Sequence, residues 1–185
     1  MEVKGSAIAT IRPFVKTAFG ADGERRFLDS LSPGAKSVIA SPILATEWYP
    51  LKTALVEPVA RICDLFFRGD LEGARESGRF SADQGLRGIY RVFVKLGSPA
   101  VIVKKAGTIL PTYYRPSAME VLENGAGRAV VRMTQFPQRF RVVEERICGW
   151  MQRAIEISGG KSVRVEVPVS MTEGDGVTEF RITWA

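Results

Sequence analysis

Histidine is the side chain that most often transfers protons near neutral pH, and this 185-residue sequence contains none. Its absence excludes Ser-His-Asp and Cys-His catalysis, histidine-ligated zinc and histidine-ligated haem from this chain. No GxGxxG, phosphate-loop or SxxK pattern offers another chemistry, since Gly125-Ala126-Gly127 lacks the lysine and the helix that a phosphate loop needs. The sequence therefore predicts a protein that is not an enzyme.

We expect structural rather than catalytic roles for the carboxylates and thiols of the chain. Glu144 and Glu145 open a predicted helix, where negative charge suits the N-terminal end of the helix dipole. Neighbours on a helix point about 100° apart, so we expect capping and solvation from this pair rather than shared acid–base work. Cys63 and Cys148 form no CxxC motif and lie in apolar stretches. We expect two buried, reduced thiols, with a disulfide between them as the alternative.

The positive charge of the chain is concentrated in one segment. Residues 84–119 contain no Asp or Glu and six basic side chains, which equal the net charge of +6 of the whole chain. These six are Arg87, Arg91, Lys95, Lys104, Lys105 and Arg115. The first three are four residues apart, so a helix places them on one face.

Two interpretations of this basic segment remain open. The six side chains could form a solvated surface with acidic partners inside the fold. They could also form a docking patch for an acidic protein, anionic lipid head groups or nucleic acid. Nucleic acid is the weakest of these partners, because no nucleic-acid-binding motif accompanies the charges.

Helical patterns fill the chain up to residue 110. Thr10 begins the first helix and Gly20 ends it, Ser32-Pro33 begins another, and Pro58 interrupts a longer one. Residues 3–9 are ambiguous and could be a strand. The predicted helices are 10–19, 23–31, 33–40, 51–66, 70–79, 83–96 and 99–110.

Extended patterns appear after Pro116. Runs 119–122 and 129–134 are joined by a glycine-rich turn, and runs 163–169 and 177–184 by a second turn. A helix over 140–157 separates the two hairpins. The sequence thus predicts one α+β domain spanning residues 1–185, with N-terminal helices packed on a roughly four-stranded antiparallel sheet formed by two C-terminal hairpins.

Short motifs, in order from Trp48 to the end, carry a resemblance to a known superfamily. They are Trp48-Tyr49-Pro50-Leu51, Gly78-Arg79-Phe80, Tyr90-Arg91, Leu96-Gly97-Ser98-Pro99, Tyr113-Tyr114, Gly149-Trp150-Met151, Gly159-Gly160-Lys161 and Phe180-Arg181-Ile182-Thr183-Trp184. The chain resembles the bacterial haem-NO-binding-like superfamily, whose relatives include the four-vinyl-reductase ligand-binding domain and the vesicle-tethering TRAPP subunits. The resemblance implies helices on a four-stranded sheet, a cavity between them for a hydrophobic ligand, and pairing into homodimers.

Departures from this resemblance remove its known chemistries. The haem-binding branch uses a helix histidine on iron, and no position here supplies one. The four-vinyl-reductase branch tends to carry a cysteine pair, and the matching positions are Ser170 and Thr178. The TRAPP acylation cysteine cannot be placed on Cys63 or Cys148. We therefore expect no haem and no metal.

The expected ligand pocket is lined by apolar and aromatic side chains. Its candidate residues are Tyr90, Phe93, Tyr113, Tyr114, Ile147 and Met151. Val143, Ile147, Met151 and Ala154 form one helical stripe, which could equally be ordinary core. Tyr113 and Tyr114 could in principle ligate iron, but packing at a helix-to-sheet junction is the simpler role.

The leading hypothesis from the sequence is a non-enzymatic domain that binds a hydrophobic small molecule or a regulatory partner protein. One alternative is a binder of anionic partners through the basic residues 84–105. Another is a haem-type sensor with a non-histidine iron ligand. No apolar run of about 18 residues and no signal pattern is present, so we expect a cytoplasmic protein with no transmembrane segment.

Overall fold

The computed structural model describes residues 1–86 and 98–185. Its α-helices are α1 (Gly5–Ile8), α2 (Ile11–Ser30), α3 (Pro33–Ile39), α4 (Glu57–Phe66), α5 (Glu72–Gly85), α6 (Pro99–Lys104), α7 (Ala106–Tyr113) and α8 (Arg141–Ile157). Its strands are β1 (Glu2–Lys4), β2 (Trp48–Pro50), β3 (Tyr114–Arg115), β4 (Ala118–Gly125), β5 (Arg128–Gln135), β6 (Arg164–Val169) and β7 (Thr178–Thr183). Most of the predicted helix 83–96 lies outside the described residues, as do Arg87, Tyr90, Arg91, Phe93 and Lys95.

Local signals place most of the N-terminal helix ends correctly. Helix α2 is interrupted at Gly20, whose φ of 71° a glycine adopts without strain, so the predicted stop is a break inside one element. The Ser32 hydroxyl accepts from the Ala35 amide and begins α3 as predicted. The Asp70 carboxylate accepts from the Glu72 amide and begins α5. No helix within residues 1–86 and 98–185 is both long and apolar enough to cross a membrane.

The C-terminal sheet confirms the predicted fold class. It has four antiparallel strands in the order β4-β5-β7-β6, so the two hairpins join through the β5–β7 pair. Val131 lies opposite Phe180 in that central pair, and both side chains are buried. One face of the sheet is therefore available for the helices to cover.

A second, three-stranded sheet of order β2-β1-β3 was not predicted. Trp48-Tyr49-Pro50, which precedes the predicted helix 51–66, forms strand β2, and a π-helical turn (Lys52–Val56) follows it. These strands have two or three residues each, which is too short for an alternating pattern to appear in the sequence. Their pairing brings Tyr114 beside Val3 and Arg115 beside Glu2.

Helices α5 and α8 cross with their backbones in contact. A Cβ atom at Gly78 would overlap the carbonyl oxygen of Arg146, and one at Gly149 would overlap the carbonyl oxygen of Arg75. Glycine at both positions is therefore required for this approach. The predicted segment 70–79 is too short, because α5 continues to Gly85.

Replacing Gly149 by alanine should destabilise the fold. The added Cβ meets backbone, which cannot rotate away, so we expect Gly149→Ala to lower the free energy of unfolding by about 3 kcal/mol. Gly176→Ala is the matched control, because nothing lies within 4 Å of a Cβ built there. Urea unfolding followed by far-UV circular dichroism measures both, and equal stability of the two variants would contradict the crossing.

Candidate functional site

An apolar cavity of about 70 Å³ lies between helices α6, α7 and α8 and the inner face of the four-stranded sheet. Helix α8 contributes one wall through Ile147, Met151 and Ala154. Met119, Val131 and Ile182 of strands β4, β5 and β7 form the opposite wall. Packed interiors contain few voids larger than a water molecule, so an apolar space of this size is a candidate ligand site.

Four predicted pocket residues surround this one cavity. Tyr113, at the end of α7, has its ring centroid 6.0 Å from that of Trp150. Tyr114 lies in β3 with its ring centroid 5.5 Å from that of Phe136. Ile147 and Met151 line the cavity from α8. The geometry brings these residues together, whereas their role in binding a ligand stays a prediction.

Arg146 is the cavity residue that sequence reasoning missed. It lies four residues before Trp150 on α8, and only 2% of its surface is exposed. Its Nη2 donates to the Ala7 carbonyl at 2.8 Å and to Thr10 Oγ1 at 3.5 Å, and its Nε donates to Ser77 Oγ at 3.4 Å. An arginine on a helix usually faces water. Arg146, however, lies four residues before Trp150 and eight before Ala154, and this spacing places all three on one face of the helix.

The Arg146 guanidinium has no carboxylate partner. All twenty Asp and Glu side chains belong to the described residues, and none lies within 4.0 Å of this group. Its chain neighbours Glu144 and Glu145 bind other groups. A buried cation therefore faces the cavity with only neutral oxygens around it.

Tyr114 places a phenol beside that cation. Burial raises the pKa of the Tyr114 phenol, and the Arg146 guanidinium offsets only part of the rise. Tyr114 is thus protonated at neutral pH and can donate a hydrogen bond. Ser81 of α5 also lines the cavity, so hydroxyls from two other elements accompany the guanidinium.

The predicted solvation of Glu144 and Glu145 is wrong, because both carboxylates are buried. Glu144 accepts hydrogen bonds from Ser170 Oγ at 2.7 Å, Thr178 Oγ1 at 2.7 Å and Thr172 Oγ1 at 3.0 Å. Ser170 and Thr178 are the positions matched to the cysteine pair of the four-vinyl-reductase branch. Their hydroxyls thus donate hydrogen bonds to the buried Glu144 carboxylate. This cluster ties the start of α8 to the β6–β7 connection.

Glu145 points in a different direction from Glu144. Its carboxylate pairs with Arg75 at 2.6 Å and with Arg141 at 2.9 Å. Arg141 also lies 3.4 Å from the Glu144 carboxylate, so it bridges the two adjacent acids. Both carboxylates are occupied, which fits a structural role rather than a catalytic pair.

The basic segment is not one continuous patch among the described residues. Arg115 pairs with Glu2 at 2.7 Å, and its guanidinium lies 4.2 Å from the centre of a Trp48 ring. Lys104 and Lys105 are exposed at the end of α6. Arg87, Arg91 and Lys95 lie outside the described residues, so docking through this segment stays a prediction.

Both cysteines are buried, unpaired thiols, as the sequence predicts. Burial raises the pKa of Cys63 to about 11 and that of Cys148 to about 12. No group of three or more metal-ligating side chains occurs in the described part of the chain.

Comparison with known proteins relates this arrangement to solved structures. No protein-family model and no curated protein sequence matches the chain. An H-NOX protein from S. oneidensis in the Fe(II)NO ligation state superposes with a TM-score of 0.74 at 14% identity, covering 98% of this chain and 99% of that one. The Fe(II) unliganded H-NOX protein from K. algicida gives 0.73 at 10% identity, covering 98% and 96%. The chain has the haem-NO-binding-like fold. The four-vinyl-reductase and TRAPP likenesses stay predictions.

Haem is the cofactor that this fold suggests, and the described residues do not fit it. The chain offers no imidazole, and neither cysteine lines the cavity. The lining does contain phenols and thioethers, from Tyr113, Tyr114, Met119 and Met151, but the Tyr114 hydroxyl lies against Arg146. A cavity of about 70 Å³ is also far below the roughly 300–1,000 Å³ of pockets that hold drug-sized ligands. The expectation that no haem binds stays a prediction.

Removing one hydroxyl from the Glu144 cluster should destabilise the protein. Hydrogen bonds to charged groups contribute about 1.5–3 kcal/mol, so we expect Thr178→Val to lower the free energy of unfolding by about 2 kcal/mol. Thr183→Val in the same strand is the control and should cost less than about 0.5 kcal/mol. Equal effects in urea unfolding would show that the cluster contributes nothing.

The two thiols should be unreactive in the native protein. With a pKa of about 11, roughly one Cys63 in a thousand is thiolate at pH 8, and burial blocks the reagent as well. Ellman's reagent should therefore modify both cysteines only after unfolding in guanidinium chloride. Rapid modification of the folded protein would contradict this assignment.

Proposed function

We propose that the chain is a non-enzymatic domain that binds a small, largely hydrophobic molecule in the cavity between α6–α8 and the sheet, without haem. The cavity is the observation that carries this proposal. Three residues of the α8 stripe, Ile147, Met151 and Ala154, line this space, whereas Val143 packs in the core. An unfilled cavity costs stability that a fitting ligand restores.

The size of the cavity limits the ligand. A volume of about 70 Å³ is about half of the roughly 150 Å³ cavity that binds benzene, so it suits a chain of a few carbons and not a macrocycle. Met119 and Met151 line opposite walls, and methionine side chains adapt their shape readily. A modestly larger molecule fits if these two side chains move.

The polar groups of the cavity favour binding over catalysis. Arg146, Tyr114 and Ser81 provide hydrogen-bond donors, but no carboxylate or thiol is among the described lining residues. Nucleophilic catalysis needs a base beside the nucleophile, which this set does not supply. A sensor that binds its ligand without transforming it fits these groups.

Filling the cavity should abolish ligand binding. We expect native mass spectrometry to detect a retained small molecule, or thermal shift assays to detect binding of hexanol, indole or toluene. Ala154→Leu places a larger side chain into the space and should remove both signals while leaving the melting temperature equal or higher.

Ala60→Leu is the matched control, because this helical alanine in α4 does not line the cavity. It should bind the same compounds as the natural sequence. The proposal fails if the natural sequence carries no ligand and none of the three compounds stabilises it, or if Ala154→Leu binds them unchanged.

A further inference from the structure

We infer that the ligand is a carboxylate with a short apolar tail, whose negative group is held by Arg146 and Tyr114. This inference rests on the proposed function and names the class of its ligand. It begins from the one feature of the cavity that an uncharged ligand leaves unexplained, which is a guanidinium buried in an apolar wall.

A buried charge is costly unless an opposite charge accompanies it. Arg146 has none within the chain, and residues 87–97 cannot supply one because they contain no Asp or Glu. Glu144 is held by three hydroxyls and Glu145 by two other arginines, so neither is available. The missing counter-charge must therefore come from outside the chain.

The donor geometry leaves room for an anion. Ala7 and Thr10 accept from Nη2 and Ser77 accepts from Nε, and none of these three bonds with described residues uses Nη1. The Tyr114 hydroxyl is a further hydrogen-bond partner of the guanidinium. The protonated Tyr114 phenol lies beside the guanidinium and supplies a second donor. A carboxylate has two acceptor oxygens in a plane, which matches a guanidinium and a neighbouring hydroxyl.

A carboxylate fits better than a phosphate. One cation balances one negative charge, whereas a phosphomonoester brings close to two into an apolar space. From Arg146 to Ala154 helix α8 rises roughly 12 Å, and the walls along this length are apolar. With a volume of about 70 Å³, this length suits a tail of a few carbons.

Matched ligands of one chain length separate the charge from the tail. Hexanoate and hexanol differ only at the head group, and isothermal titration calorimetry measures both. We expect the natural sequence to bind hexanoate at least tenfold more tightly than hexanol.

Arg146→Met should reverse that preference. Methionine has a similar length but no charge. We therefore expect hexanoate affinity to fall at least tenfold, while hexanol affinity is kept or improved. Tyr114→Phe removes only the hydroxyl and should weaken hexanoate severalfold without affecting hexanol. This second variant tests the site even if Arg146→Met does not fold.

Lys105→Met is the control for charge alone, since it removes an exposed cation on the protein surface. It should leave hexanoate affinity unchanged. The inference is overturned if hexanol binds as tightly as hexanoate, or if both cavity variants keep full hexanoate affinity, although the proposed function then survives. If neither hexanoate nor hexanol binds the natural sequence, this inference falls, and the proposed function falls with it if indole and toluene also fail.

Discussion

The close approach of α5 and α8 is the constraint on which the rest of the structure depends. Two helices touch backbone to backbone only where neither carries a Cβ atom, and Gly78 and Gly149 satisfy that condition. Their contact fixes the position of α8 against α5. Helix α8 in turn forms one wall of the cavity, through Ile147, Met151 and Ala154.

The N-terminal half of α8 places charged side chains in the interior of the protein. Glu144, Glu145 and Arg146 are consecutive and charged, yet all three are buried. The two carboxylates are neutralised or hydrogen-bonded within the chain, by hydroxyls on one side and arginines on the other. Only the arginine faces open space. Buried charges are stable when each has a partner, so the proposed carboxylate site depends on Arg146, the one without a charged partner.

Much of the fold could be predicted from local patterns. Alternation along residues 163–169, the turn between β4 and β5 and the glycine break in α2 are all encoded by neighbouring residues. The second sheet could not be predicted, because its strands are too short to show a period and pair residues as distant as Glu2 and Arg115. The positions of Tyr113, Tyr114, Ile147 and Met151 followed from helical spacing and the family resemblance together.

By itself, the sequence determined the α+β class, the two C-terminal hairpins and the exclusion of histidine chemistry, because composition and periodicity need no distant contact. Only the tertiary structure decided which charged side chains are buried and which acidic residue pairs with which basic residue. Burial depends on what packs against a side chain, and for Arg146 that means Ala7 of α1, Thr10, and Ser77 of α5, which are far away in the chain. For the same reason the predicted solvation of Glu144 and Glu145 was wrong, because the residues that bury them are distant in the sequence.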